Sequence, residues 1–142
     1  MKVVLDTNVL VSALIFPGGP PEIVYRMALE RRIELVTSPV LLAELGRVLV
    51  DKFGWSVEHA EVAVAQIARV GTVVLPTERI DEITDDPADD RVLEAALTGD
   101  AELIVSGDRH LLRLDRWRGI QVVRPADFER RAQDRDGAPL PR

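Results

Sequence analysis

Two stretches of this chain put a carboxylate where an apolar run ends. Lys2-Val-Val-Leu-Asp6 reads as a short buried strand that stops on an acid, and Leu103-Ile-Val-Ser106-Gly107-Asp108 repeats the arrangement far along the chain. In an open parallel sheet, ligands bind outside the carboxyl ends of the strands. An acid in that position can hold a cation or move a proton. The plain alternative for Asp6 is to cap the following helix. Thr7 and Asn8 serve that purpose equally well, so capping does not demand an acid. For Asp108 the alternative is a turn, because Gly-Asp is ordinary turn chemistry.

Two further acids stand on helices. In the helix expected after Ser38-Pro39, Leu41, Leu45, Val48 and Leu49 form the apolar stripe, and Glu44 shares it. A carboxylate turned toward a core needs a partner or a cation, since unpaired burial is expensive. In Asp86-Pro-Ala-Asp-Asp90-Arg-Val-Leu-Glu-Ala-Ala96, Asp90 lies three residues before Leu93 and seven before Leu97, and so opens an inward face. Acids at a helix start also favour the dipole, a role that Asp86 and Asp89 can fill. Taken together, Asp6, Glu44, Asp90 and Asp108 would fall on one edge of a β/α sheet. Four carboxylates there repel one another unless cations lie between them. Oxygen donors select Mg²⁺ or Mn²⁺. Thr7, Asn8 and Ser106 are short polar neighbours suited to hydrogen-bonding the acids. Arg109, His110 and Arg113 lie in the most basic stretch and are candidates to contact nucleic-acid phosphates. Trp55 and Trp117 can stack on bases, although such residues more often pack.

The elements that must position these residues alternate between short β-type runs and helical ones, the pattern of parallel β/α units. Strands are expected at Val3–Leu5, Ile33–Thr37, Thr72–Leu75, Leu103–Val105 and Ile120–Val123. Helices are expected after Asp6, from Pro20 to about Glu30, from Ser38 to about Lys52, from Ser56 to Gly71, from Asp89 or Asp90 to Thr98, over Asp108–Leu112 and over Pro125–Arg131. Residues 76–87 read as an acidic loop. The expected organisation is one domain over residues 1–131, with a flexible tail at 132–142 containing Gly137, Pro139 and Pro141.

Composition narrows the chemistry. The chain has 142 residues, no cysteine and two histidines, so thiolate sites and disulfides are excluded and a histidine-rich zinc site is disfavoured. The net charge is −6, but residues 78–102 alone contain ten acids and two arginines. That stretch carries −8 and the rest of the chain +2. The acidity is local, so the chain's overall charge weighs only weakly against a nucleic-acid partner. No apolar run approaches the roughly 20 residues of a membrane span, and Asp6 interrupts any signal-peptide layout. The expected location is the cytoplasm.

Val-Leu-Asp6-Thr-Asn8, Leu-Leu-Ala-Glu44-Leu, Asp-Pro-Ala-Asp-Asp90-Arg-Val-Leu-Glu-Ala-Ala and Leu-Ile-Val-Ser106-Gly-Asp108, in that order, resemble the PIN-domain family of metal-dependent ribonucleases. The likeness is nearest to small prokaryotic members regarded as toxins of type II toxin–antitoxin pairs. It covers Val3 to about Phe128. It implies an α/β fold with a central parallel sheet of four to five strands flanked by helices in three layers. It also implies a site of Asp6, Glu44, Asp90 and Asp108 holding Mg²⁺ or Mn²⁺, assisted by Thr7, Asn8 or Ser106. An RNA substrate, a homodimer and a silencing antitoxin partner follow from the same likeness, as do products with 5′-phosphate and 3′-hydroxyl ends. Two rival readings remain. A catalytically silent PIN-like module would bind RNA or a partner only. A Mg²⁺-dependent phosphatase would use a strand-end aspartyl nucleophile, but Asp6-Thr-Asn8 lacks the second acid of that pattern. A dinucleotide site is disfavoured because no Gly-x-Gly-x-x-Gly follows the first strand.

Overall fold

The computed structural model describes residues 1–83 and 86–136. β1 (Lys2–Leu5) leads into α1 (Thr7–Ile15) and α2 (Pro20–Leu29), and β2 (Glu34–Thr37) into α3 (Pro39–Asp51) and α4 (Val57–Val70). β3 (Thr72–Val73) continues through an irregular segment to α5 (Pro87–Thr98), and β4 (Leu103–Val105) is followed by α6 (Arg109–Leu114). β5 (Arg116–Trp117) and β6 (Ile120–Val123) form a hairpin before α7 (Pro125–Asp136). Local chemistry sets these starts. The Ser38 hydroxyl accepts a hydrogen bond from the Leu41 amide, with Pro39 at the first helical position, and the Ser56 hydroxyl accepts one from the His59 amide.

The six strands lie in the order β3-β2-β1-β4-β6-β5. β1 pairs in parallel with β2 on one side and β4 on the other, with Val3 opposite both Leu35 and Leu103. The chain therefore winds outward in both directions from the β1–β4 pair. That junction is the topological switch point, where open α/β sheets bind ligands. Alternate strand residues feed two cores. Val3, Leu5, Leu35, Leu103, Val105 and Val123 pack under α1, α2, α3, α4 and α7. Val4, Val36, Ile104 and Val122 pack under α5 and Leu111. Both faces are covered, as a mainly parallel sheet requires. The three-layer α/β/α arrangement expected from the sequence is what forms.

Three details differ from expectation. The sheet has six strands, because Arg116 and Trp117 pair antiparallel with Gln121 and Ile120. Arg118 and Gly119, at φ 49° and 81°, make the two-residue turn between them. Positive φ at both central positions is the hairpin turn matched to strand twist, but Arg-Gly is a faint signal for it. The segment 76–83 is a loop as expected, its charged residues exposed, but Ile80 and Ile83 turn inward and are buried in the second core. Thr84 and Asp85 lie outside the described residues. Finally, α7 runs on to Asp136, and Ala132 belongs to the first core. The rest of the expected tail, 137–142, is also outside the described residues. Among those described, no helix is long and apolar enough to cross a membrane.

Gly99, directly after α5, marks a close approach. A Cβ there would lie 2.5 Å from Val36 Cγ1, with the Ala95 carbonyl oxygen at 3.1 Å. Gly99→Ala should cost about 1–3 kcal/mol through overpacking. Urea denaturation should report a lower midpoint with an unchanged slope.

Candidate metal centre

Asp6 follows β1 at the switch point. Its backbone amide extends the ladder by donating to the Val105 carbonyl, and the Ser106 amide does the same one strand over, to Val123. These two bonds put the first residues beyond β1 and β4 side by side. The Asp6 side chain, although at the start of α1, makes no capping hydrogen bond to it. Instead its Oδ2 accepts from the Ser106 hydroxyl at 2.7 Å. The same hydroxyl accepts from the Asp108 amide at 2.9 Å, so one buried serine links the two strand-end acids. Asp108 uses Oδ1 to cap α6, accepting from the amides of His110 and Leu111 at 2.7 and 3.4 Å.

Across from Asp108 stand two acids of α5. Asp86 caps that helix through Oδ1, which accepts from the Ala88 amide at 3.2 Å. Asp89, one turn in, is only 6% exposed, and its Oδ2 is buried with no hydrogen-bond partner. Carboxylate oxygens of Asp86, Asp89 and Asp108 lie within 4.8 Å of one another. Burial raises the Asp89 carboxyl to about 8, and contact with Asp108 and the charges of Asp108, Asp6 and Asp86 push the same way. Asp6 is raised to about 6, first by burial and then by the charges of Asp108 and Glu44, against the lowering effect of Ser106. Half-buried Glu44 on α3 therefore acts on the same electrostatic group. Thr7 Oγ1 is a second buried oxygen with no partner. An all-oxygen cluster with unsatisfied buried acceptors and mutual repulsion suits a hard divalent cation, whose charge would relieve both conditions.

The family comparison agrees with this architecture. A family model described as the PIN domain matches residues 2–110. The chain belongs to the PIN-domain family. PIN domains are generally nucleases, and an acidic cluster able to hold metal is what this PIN domain presents. Among curated proteins, the chain is similar to the uncharacterized protein MJ1680 of Methanocaldococcus jannaschii, 29% identical over 118 residues, which is 80% of this chain and 75% of that protein. Among solved structures, it is similar to VapBC-1 from nontypeable Haemophilus influenzae, with TM-score 0.58, 18% identity, and coverage of 89% of this chain and 99% of that one. It is also similar to VapBC2 from Rickettsia felis bound to a DNA fragment from its promoter, with TM-score 0.59, 13% identity, and coverage of 86% and 97%. These two likenesses speak to fold.

Of the acids expected to converge, Asp108 and Glu44 both act on Asp6, and Ser106 joins Asp6 to Asp108. Asp90 is elsewhere. Its Oδ1 accepts from the backbone amides of Glu82 and Ile83 at 3.1 and 2.9 Å. The acid of α5 that faces Asp6 and Asp108 is its neighbour Asp89. Asn8 is exposed and, with Ser12, Gly107, Asp108 and Arg109, lines a cleft of about 460 Å³ beside the cluster. Arg113 is exposed, and His110 is half-buried on α6. Trp117 packs in the second core, and Trp55 stacks on His59, with ring centroids 3.9 Å apart.

A pH dependence follows. Both raised carboxyls keep protons in the folded chain that the unfolded chain, near 3.8, has released. Without metal, stability should therefore fall as pH rises from about 4 to about 8, and level off above. Each such group contributes at most about 1.4 kcal/mol per pH unit. Asp89→Asn should flatten the upper half of that slope in thermal melts with EDTA, whereas added Mn²⁺ should stabilise the wild type more at high pH.

Proposed function

We propose that this chain is a divalent-metal-dependent endoribonuclease and the toxin of a toxin–antitoxin pair, with Asp6, Glu44, Asp89 and Asp108 holding Mg²⁺ or Mn²⁺ and Asp86 at the margin. The observation that carries the reading is the buried, partnerless Oδ2 of Asp89, set among carboxylates that repel it. A bound divalent ion supplies Lewis acidity toward a phosphodiester and toward water.

The protein's own part is to hold and to orient. Ser106 fixes the Asp6 carboxylate by donating to one of its oxygens. Capping α6 fixes Asp108 through Oδ1 while its carboxylate still faces Asp89. The cleft lined by Asn8, Gly107 and Arg109 receives the RNA backbone. Arg109 and Arg113 offer charge to phosphates, with His110 beside them. Hydrolysis breaks the P–O3′ bond and leaves 5′-phosphate and 3′-hydroxyl ends.

A silencing protein partner fits the outer surface. Leu42, Gly46, Val50, Val57 and Val64 of α3 and α4 line a groove of about 500 Å³, and Val57 and Val62 are exposed. The resemblance to the VapBC assemblies supports such a partner. The active species is a cytoplasmic homodimer released from it.

Labelled RNA incubated with Mn²⁺ or Mg²⁺ should be cut, and EDTA should stop the reaction. Asp6→Asn and Asp89→Asn should each slow cleavage at least about 100-fold, equivalent to about 2.7 kcal/mol of transition-state stabilisation. Equal cleavage by wild type and both variants would mark a contaminant and leave a binding module as the better description.

A further inference from the structure

The acidic segment before α5 is held down by that helix's own side chains. Asp90 Oδ1 accepts from the amides of Glu82 and Ile83. One turn on, Glu94 Oε2 accepts from the Ile80 amide at 2.8 Å, and Arg91 Nη2 donates to the Ile80 carbonyl at 3.1 Å. Arg91 and Glu94 also pair with each other at 2.8 Å, both nearly buried. Ile80 thus has its N–H and C=O satisfied by two side chains, as a neighbouring strand would satisfy them. Its own side chain and that of Ile83 fill the second core. The result is a strap over residues 80–83, tied to the first two turns of α5.

The strap leads directly into the acidic cluster. From Ile83 the chain runs to Asp86, which caps α5 and contributes to the cluster. Asp90 binds Ile83 from the far end of that same loop, so its carboxylate closes a ring that contains both Asp86 and Asp89. We infer that Asp90 is a positioning residue, a staple whose two bonds to the strap hold Asp86 and Asp89 against Asp108, and not itself a ligand. The inference rests on the nuclease reading for what the cluster does, but the staple is tested apart from it. Both strap bonds land on Oδ1, an acceptor that an asparagine side chain also offers. At a ligand position, by contrast, the negative charge itself matters, and asparagine lacks it.

The experiment uses the full chain and Mn²⁺ alone as probe, with calorimetric titration and amide hydrogen exchange at Glu82 and Ile83. Asp90→Asn should keep both amides protected and bind Mn²⁺ within about threefold of wild type. Asp90→Ala should lose the protection and bind roughly 10-fold or more weakly, the range seen when groups that orient ligands are removed. Asp89→Asn should keep the protection and lose Mn²⁺ binding. If Asp90→Asn loses Mn²⁺ as Asp89→Asn does, Asp90 is a ligand and the inference is overturned. It is equally overturned if Asp90→Ala frees the amides without weakening Mn²⁺. Should Asp90→Ala fail to fold, as circular dichroism would reveal, the contrast between the two asparagine variants still decides. A wild type that binds no Mn²⁺ would overturn the nuclease reading, while the exchange contrast between Asp90→Ala and Asp90→Asn would still judge the staple.

Discussion

Like charge gathered in a poorly solvated place is the constraint around which this molecule is arranged. Asp6, Glu44, Asp86, Asp89 and Asp108 come from four separate stretches of chain, and burial makes the negative charges of Asp6 and Asp89 more costly. Nothing in the local propensity of β1, α3, α5 or the β4 end favours this convergence. It arises because the sheet winds outward from β1 and β4, so that whatever follows those two strands must meet at one edge. The hydrophobic packing of two cores supplies the free energy that holds the acids together.

The polar bonds around the cluster divide the labour. Asp86 and Asp108 each give one oxygen to a helix start, satisfying amides that would otherwise be orphaned. Ser106, fully buried, ties Asp6 to the turn that carries Asp108. Asp89 keeps a buried oxygen with nothing to accept from, as does Thr7 beside Asp6. The capping acids are thereby fixed in direction. The cluster is held in place by the protein's own bonds.

Much of this was legible in the residues. Asp6 and Asp108 announced themselves because each follows an apolar run that could only be a strand, and strand ends meet in a parallel sheet. Glu44 was legible from its place on the Leu41–Leu45–Leu49 stripe. The choice between Asp89 and Asp90 was not. Periodicity selects a face only when a helix has a wet side, and α5 is buried from Asp89 through Ala96 except at half-buried Arg91. Both acids lie inward, and it is the strap, formed by residues outside any regular pattern, that shows they meet different partners. Ile80 and Ile83 were hidden for the same reason, as isolated apolar residues in a run of acids. β5 was missed because its turn uses Arg-Gly where Asn-Gly would have advertised it.

The two outermost strands, β3 and β5, are each two residues long. A further strand laid along either border would find too few free amides and carbonyls to form a lasting ladder, which also guards the valine-rich interior against fibrous stacking. Growth by sheet extension is thus closed to this protein at both flanks. Among the described residues, it is the helices and connecting loops that offer the broader surface for association.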